Sequence, residues 1–138
     1  MKKIFSLVIL ALMTQFTEAQ DSWTVKLNNK LLLTASKEDT VANTKKISQL
    51  EWSKSGYLEV RYKEAEASFW NYSFLFNDET DNQLLTKDNV THTKVPVTTL
   101  RKLFAGKKKM NIYAIQSPKN PMMAVRTRRI YLCTLLLP

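Results

Sequence analysis

The chain has 138 residues, with 21 lysines and arginines against 12 aspartates and glutamates, a formal net charge of +9, and only one cysteine, one histidine and two glycines. One cysteine and one histidine exclude an intrachain disulfide and cannot close a zinc site, and two glycines cannot build a phosphate-cradling loop. What remains is the length of one ordinary domain carrying a strongly basic surface.

The first segment reads as a targeting signal rather than as part of the domain. "MKKIFSLVILALMTQFTEAQ" places Lys2 and Lys3 before an apolar run from Ile4 to Met13 and ends on small Ala19. That layout predicts a cleaved secretory signal over residues 1–19, with cleavage between Ala19 and Gln20. The run is about half of the roughly 20 apolar residues that a spanning helix needs. Residues 20–138 are then a single domain in a periplasm or outside the cell, not transmembrane once the signal is removed.

"WTVKLN" alternates Trp23, Val25 and Leu27 with Thr24, Lys26 and Asn28, and Asn28-Asn29 predicts a tight turn into "LLLTAS". Residues 37–46 have no period and read as a loop. "ISQLEW" and "YLEVRYKE" read as a hairpin around "SKSG", with Leu50 and Trp52 on one face, and with Leu58, Val60 and Tyr62 alternating with Tyr57, Glu59, Arg61 and Lys63. "SFWNYSFLF" sets Trp70, Tyr72, Phe74 and Phe76 on one face. After the acidic turn "NDETDN", short strands follow near Leu84-Leu85 and from Val90 to Val97.

One helix interrupts the strands. "VTTLRKLFAG" offers Thr98 or Thr99 as N-cap, Leu100, Leu103 and Phe104 as an apolar stripe, and Gly106 as a stop. "KKMNIYAIQ" and "AVRTRRIYLCTLLL" end the chain as strands. The second is apolar on both sides except at Thr134, the pattern of an interior strand buried on both faces. The fold class is therefore all-β, an antiparallel β-sandwich or small barrel of about eight strands with one short helix near 98–105. With two glycines, asparagine, aspartate, serine and lysine must carry most turns.

Charge is the strongest functional signal. Residues 89–138 hold ten lysines and arginines and no acid, whereas residues 20–88 hold nine basic and eleven acidic residues. This asymmetry points to an anionic partner, with Lys107, Lys108, Lys109, Arg126, Arg128, Arg129, Arg101 and Lys102 as the binding residues. The competing expectation is internal neutralisation, with Glu51, Glu59, Glu64 and Glu66 lying opposite Arg126 and Arg128. In an extracytoplasmic compartment the anion is an acidic glycan, a lipid head group or an acidic protein surface, and no specific nucleic acid is expected.

The other motifs are weaker. Asp78, Glu79 and Asp81 supply hard oxygen ligands in one turn and form a calcium candidate, without the spacing of a helix-loop-helix calcium loop. The aromatic stripe of Trp70 reads as core, and Tyr57 stays open. His92 and Cys133 would make a base and nucleophile if the fold joined them, yet neither sits in a nucleophile turn, and apolar neighbours predict a buried, inert thiol. Glu64 and Glu66 could pair as carboxylates, at a spacing common in any strand. The expected function is a non-catalytic binding module without cofactor. The alternatives are a structural subunit of an envelope assembly or a homo-oligomer through strand pairing, and a small enzyme using His92 and Cys133.

Overall fold

A computed structural model describes residues 20–66, 69–122 and 126–138. The expected signal segment 1–19 and its cleavage point after Ala19 lie outside these residues. Among them, nine strands form two sheets: β1 (Ser22–Leu27), β2 (Lys30–Ala35), β3 (Thr44–Lys46), β4 (Tyr57–Lys63), β5 (Trp70–Asn77), β6 (Gln83–Lys87), β7 (His92–Pro96), β8 (Lys109–Pro118) and β9 (Arg128–Leu136). The four-stranded sheet runs β2-β1-β4-β7 and the five-stranded sheet β3-β9-β8-β5-β6. All neighbours are antiparallel except β3 and β9, which pair in parallel. Two short helices, α1 (Gln49–Ser53) and α2 (Val97–Leu103), lie between strands. The sandwich-like all-β class expected from the sequence is the observed one.

Period-2 patterning builds the core. Trp23, Val25 and Leu27 of β1 and Leu58, Val60 and Tyr62 of β4 are buried, and they face Tyr72, Phe74 and Phe76 of β5 and Met110, Ile112 and Ala114 of β8. The aromatic stripe is thus core, as expected, with Trp70 half-buried at its end. Trp23 stacks on Tyr62 at 5.9 Å, and Tyr62 meets Tyr72 of the other sheet at 4.7 Å. Phe74 has no exposed surface, so truncating it to alanine should cost about 3–5 kcal/mol.

The turns use the residues that tolerate a left-handed backbone. Asn28 (φ 51°) and Asn29 (φ 66°) form the two-residue β1-β2 turn, where consecutive positive φ values match the twist of the hairpin. Asp81, Asn89 and Gly106 are the other positive-φ positions among the described residues.

Four expectations are corrected. "ISQLEW" is not the first arm of a hairpin, because α1 occupies Gln49–Ser53. Ser48 caps it by accepting from the Glu51 N–H at 3.2 Å, and Leu50 is exposed while Trp52 is buried, so they do not share a face. Residues 37–46 are not all loop: Thr44–Lys46 form β3, bonded to β9 from Thr134 to Leu136. The N-cap of α2 is Pro96, with no side-chain cap from Thr98 or Thr99. Its buried stripe is Val97, Leu100 and Phe104, and Leu103 points outward because it lies off that stripe.

The fourth concerns β9. It is not buried on both faces; a bulge makes it look so. Ile112 pairs with Cys133 and Tyr113 with Tyr131, which leaves Leu132 as the extra residue. The bulge shifts the alternation, so Ile130, Leu132, Cys133 and Leu135 all face the core while Tyr131, Thr134 and Leu136 face outward, half-buried. Nor is β9 a free edge for strand addition. β3 covers its end, Glu38 Oε1 accepts from the Tyr131 N–H at 2.7 Å, and Asn43 Nδ2 donates to the Leu132 carbonyl at 3.1 Å.

α1 and α2 close one end of the sandwich together. Arg101 of α2 donates to the Trp52 and Lys54 carbonyls at 2.6 and 3.1 Å, satisfying the orphan C-terminal acceptors of α1.

Candidate functional site

The eight basic residues expected to bind an anion do not form one patch. The β8-β9 register sets Lys109 opposite Leu136 and Arg128 opposite Gln116, so Lys107–Lys109 and Arg126–Arg129 sit at opposite ends of that hairpin. Seven residues of strand separate them, roughly 23 Å. Several are also neutralised, though by other acids than Glu51, Glu59, Glu64 and Glu66. Arg128 pairs with Glu38 at 2.8 Å, Lys107 with Asp78 at 3.0 Å, and Arg129 with Asp81 at 3.1 Å while lying 4.1 Å over the Tyr113 ring. Arg126 and Lys102 are exposed.

The acidic turn is organised inward rather than around a cation. Asp78, with no exposed surface, accepts from the Thr80 N–H, the Thr80 hydroxyl and the Asn82 N–H, each at 2.9 Å. Burial opposes its ionisation, but the hydrogen bonds from Asn82, Lys107 and Thr80 outweigh burial and hold the carboxyl well below the usual range. Glu79 accepts from the Lys108 N–H at 3.3 Å, and Asp81 takes Asn77 Nδ2 and Arg129. The three carboxylates of the calcium candidate therefore diverge onto separate partners, and among the described residues no three His, Cys, Asp or Glu side chains gather as a metal-ligand set.

His92 and Cys133 are not brought together. His92 is on the outer face of the four-stranded sheet, its Nε2 3.4 Å from Glu59 Oε1. Cys133 is in the core of the other sheet, fully buried, and burial pushes its thiol up to about 12.

What the fold does assemble is a lysine corner. The parallel β3-β9 pairing puts Lys46 beside Leu136, and Lys109 of β8 lies on the other side of Leu136, so the two lysines flank it in one row on the outer face. Two strand spacings separate them, roughly 10 Å. Lys45, half-buried and in register with core-facing Leu135, projects to the opposite face from Lys46, and Lys108 is held by its carbonyl, which accepts from the Leu137 N–H at 2.9 Å. Among the described residues none of these four lysines is in an ion pair. Glu79 is the one acid side chain tied to this corner, and Lys107 is withdrawn to Asp78. Lys45 and Lys46 were missed because their segment has no period. Their only sequence signal was a lysine pair in an otherwise mixed run.

A second basic area was missed for a different reason. The outer face of the four-stranded sheet carries Lys26, Arg61 and Lys63 beside Lys94, and the first three belong to the N-terminal half, which looks neutral when counted as a whole. Glu59 sits among them, 3.6 Å from Lys94 and 3.9 Å from Arg61. Its burial disfavours charge, and His92, Lys94, Lys26 and Arg61 more than offset this, leaving its carboxyl below the ordinary value.

At the helix end of that sheet a cleft of about 350 Å³ opens beside Tyr57, and at the other end of the sandwich one of about 440 Å³ lies beside Trp23, Tyr62 and Arg128. No helix of the described residues is long and apolar enough to cross a membrane. No family model matches the chain, and neither the curated proteins nor the solved structures compared with it include a match.

Proposed function

We propose that the protein is a non-catalytic binding module of the periplasm or cell exterior that holds an anionic partner against Lys46, Lys108 and Lys109. The observation that carries this reading is the row Lys46–Leu136–Lys109, where strand pairing fixes two cations on either side of Leu136 and, among the described residues, neither is in an ion pair. Of the residues expected from the sequence, Lys108 and Lys109 stay in the proposed surface. Lys107, Arg128 and Arg129 leave it because each already has an internal acid. Three exposed ammonium groups at one corner of the sheet act as point charges, which suits a polyanion, whether acidic glycan, lipid head groups or an acidic protein surface, and gives little base or group selectivity.

The test is binding of the purified protein to phosphatidylglycerol vesicles, an oligogalacturonate and polyphosphate at low and moderate salt. Lys46→Gln with Lys109→Gln should weaken binding about thirtyfold at low salt, from about 1 kcal/mol per lysine near an anionic surface. The loss should shrink as salt screens the charges. Equal binding by wild type and the double variant would sink the reading.

A further inference from the structure

We propose that the cleft beside Tyr57 is a second binding site, independent of the lysine corner, and that it takes an uncharged pyranose unit of a saccharide. The cleft, about 350 Å³, is formed where the β1-β2 turn, the loop after α1 and the outer faces of β4 and β7 meet, and is lined by Asn28, Asn29, Lys54, Tyr57, Glu59 and Lys94.

The shape is fixed by the backbone. Asn28 and Asn29 are pinned in the positive-φ turn, and Asn28 Nδ2 donates to the Glu51 carbonyl and to Glu51 Oε2, both at 3.0 Å. The Asn28 N–H donates to the Tyr57 carbonyl at 3.0 Å, and the Val97 N–H to the Gly56 carbonyl at 2.9 Å. These bonds tie the turn, the floor and α2 together, so the cleft is preformed.

The chemistry of the lining selects the ligand. Tyr57 is 54 % exposed, although β4 otherwise buries its large apolar residues on the core face. An exposed tyrosine ring offers a flat apolar face and a polar rim, which fits the C–H face of a pyranose. Around it stand amide, carboxylate and ammonium groups that donate and accept within one cleft, as vicinal hydroxyls require. The charges are already balanced, Lys54 against Glu51 at 3.0 Å and Lys94 against Glu59 at 3.6 Å. An anionic ligand would have to displace a carboxylate from each lysine, whereas hydroxyl groups bridge such pairs without breaking them.

The experiment is NMR titration of the ¹⁵N-labelled protein with neutral oligosaccharides of glucose, mannose, galactose and N-acetylglucosamine. The expected result is a set of shifts confined to residues 28, 29, 54–57, 59 and 94 with at least one of them. Tyr57→Ala should weaken that binding about tenfold or more, Tyr57→Trp should keep it, and Lys46→Gln with Lys109→Gln should leave it unchanged. Tyr57 is exposed, so its variants should melt near the wild-type temperature. The proposal is overturned if none of these saccharides shifts the cleft at about 10 mM, or if Tyr57→Ala binds as wild type does.

Discussion

The indole N–H of Trp23 in β1 donates to the main-chain carbonyl of Leu132 at 3.0 Å, across 109 residues of chain and from one sheet to the other. Leu132 is the bulged residue of β9, where the register with β8 shifts, and its carbonyl takes side-chain donors. Asn43, almost fully buried, supplies the second at 3.1 Å. One irregular carbonyl thus joins the two sheets and the segment that leads into β3. Trp23→Phe should lower stability by about 1–3 kcal/mol, from the lost hydrogen bond and reduced packing. Asn43→Ala should be non-additive with it in a double-mutant cycle in urea, since both donors share an acceptor. Additive losses would mean that the bulge carbonyl is not the common element.

Gly56 has no room for a side chain. A Cβ there would lie 1.7 Å from Asn28 Oδ1, and the backbone at Gly56 is not in the left-handed region, so the constraint is steric. Gly56→Ala should destabilise by about 1–3 kcal/mol, as overpacking does. Adding Asn28→Gly, which keeps the positive φ of the turn, should recover part of the loss in chemical denaturation. No recovery would show that something other than Asn28 resists the added methyl.

Acid should unfold the protein through its turn carboxylates. The Asp78 carboxyl is depressed in the folded state, so its contribution is complete above the unfolded value of about 3.9 and is lost as pH falls below it. Lys107 is raised by its hydrogen bond and charge contact with Asp78, so its share persists through neutral pH and is lost only as pH climbs through the folded value. Melting curves should therefore fall below about pH 4. Asp78→Asn should lower the melting temperature at pH 7 and flatten the acid limb. An unchanged acid limb would assign the pH dependence to other carboxylates.

Cys133 should be chemically silent. Its thiol is fully buried and held mostly protonated by burial, so a thiol reagent at pH 8 should not label the native protein but should label it completely in denaturant. Labelling of native protein at the rate of a free thiol would contradict this packing.

Much of the fold was legible because its signals are local. Alternation at Trp23, Val25 and Leu27, and at Leu58, Val60 and Tyr62, is strand patterning that any half-buried sheet imposes, and Asn28-Asn29 is a turn that its own residues specify. The misreadings came where two local readings competed. "SQLEW" follows a strand-like apolar spacing, yet Ser48 and Glu51 stand three apart as a helix N-terminus does, and that capping signal outweighed the spacing. In "IYLCTLLL" a single bulged residue shifted the period, and a phase slip in an apolar run is indistinguishable from burial on both faces.

The candidate site was half legible for a related reason. Lys108 and Lys109 could be seen as a run, but only pairing decides which cations keep their charge free. By itself the sequence determined the basic excess, the strand-rich class, the turn residues and the inert thiol, because composition and short-range patterning suffice for each. Only the tertiary structure decided that Asp78, Glu38 and Asp81 neutralise Lys107, Arg128 and Arg129, that Lys46 stands beside Leu136 and Lys109, and that Tyr57 opens onto a cleft. Those are contacts between segments distant in the chain. They depend on register and sheet order, which long-range pairing sets and no local window contains.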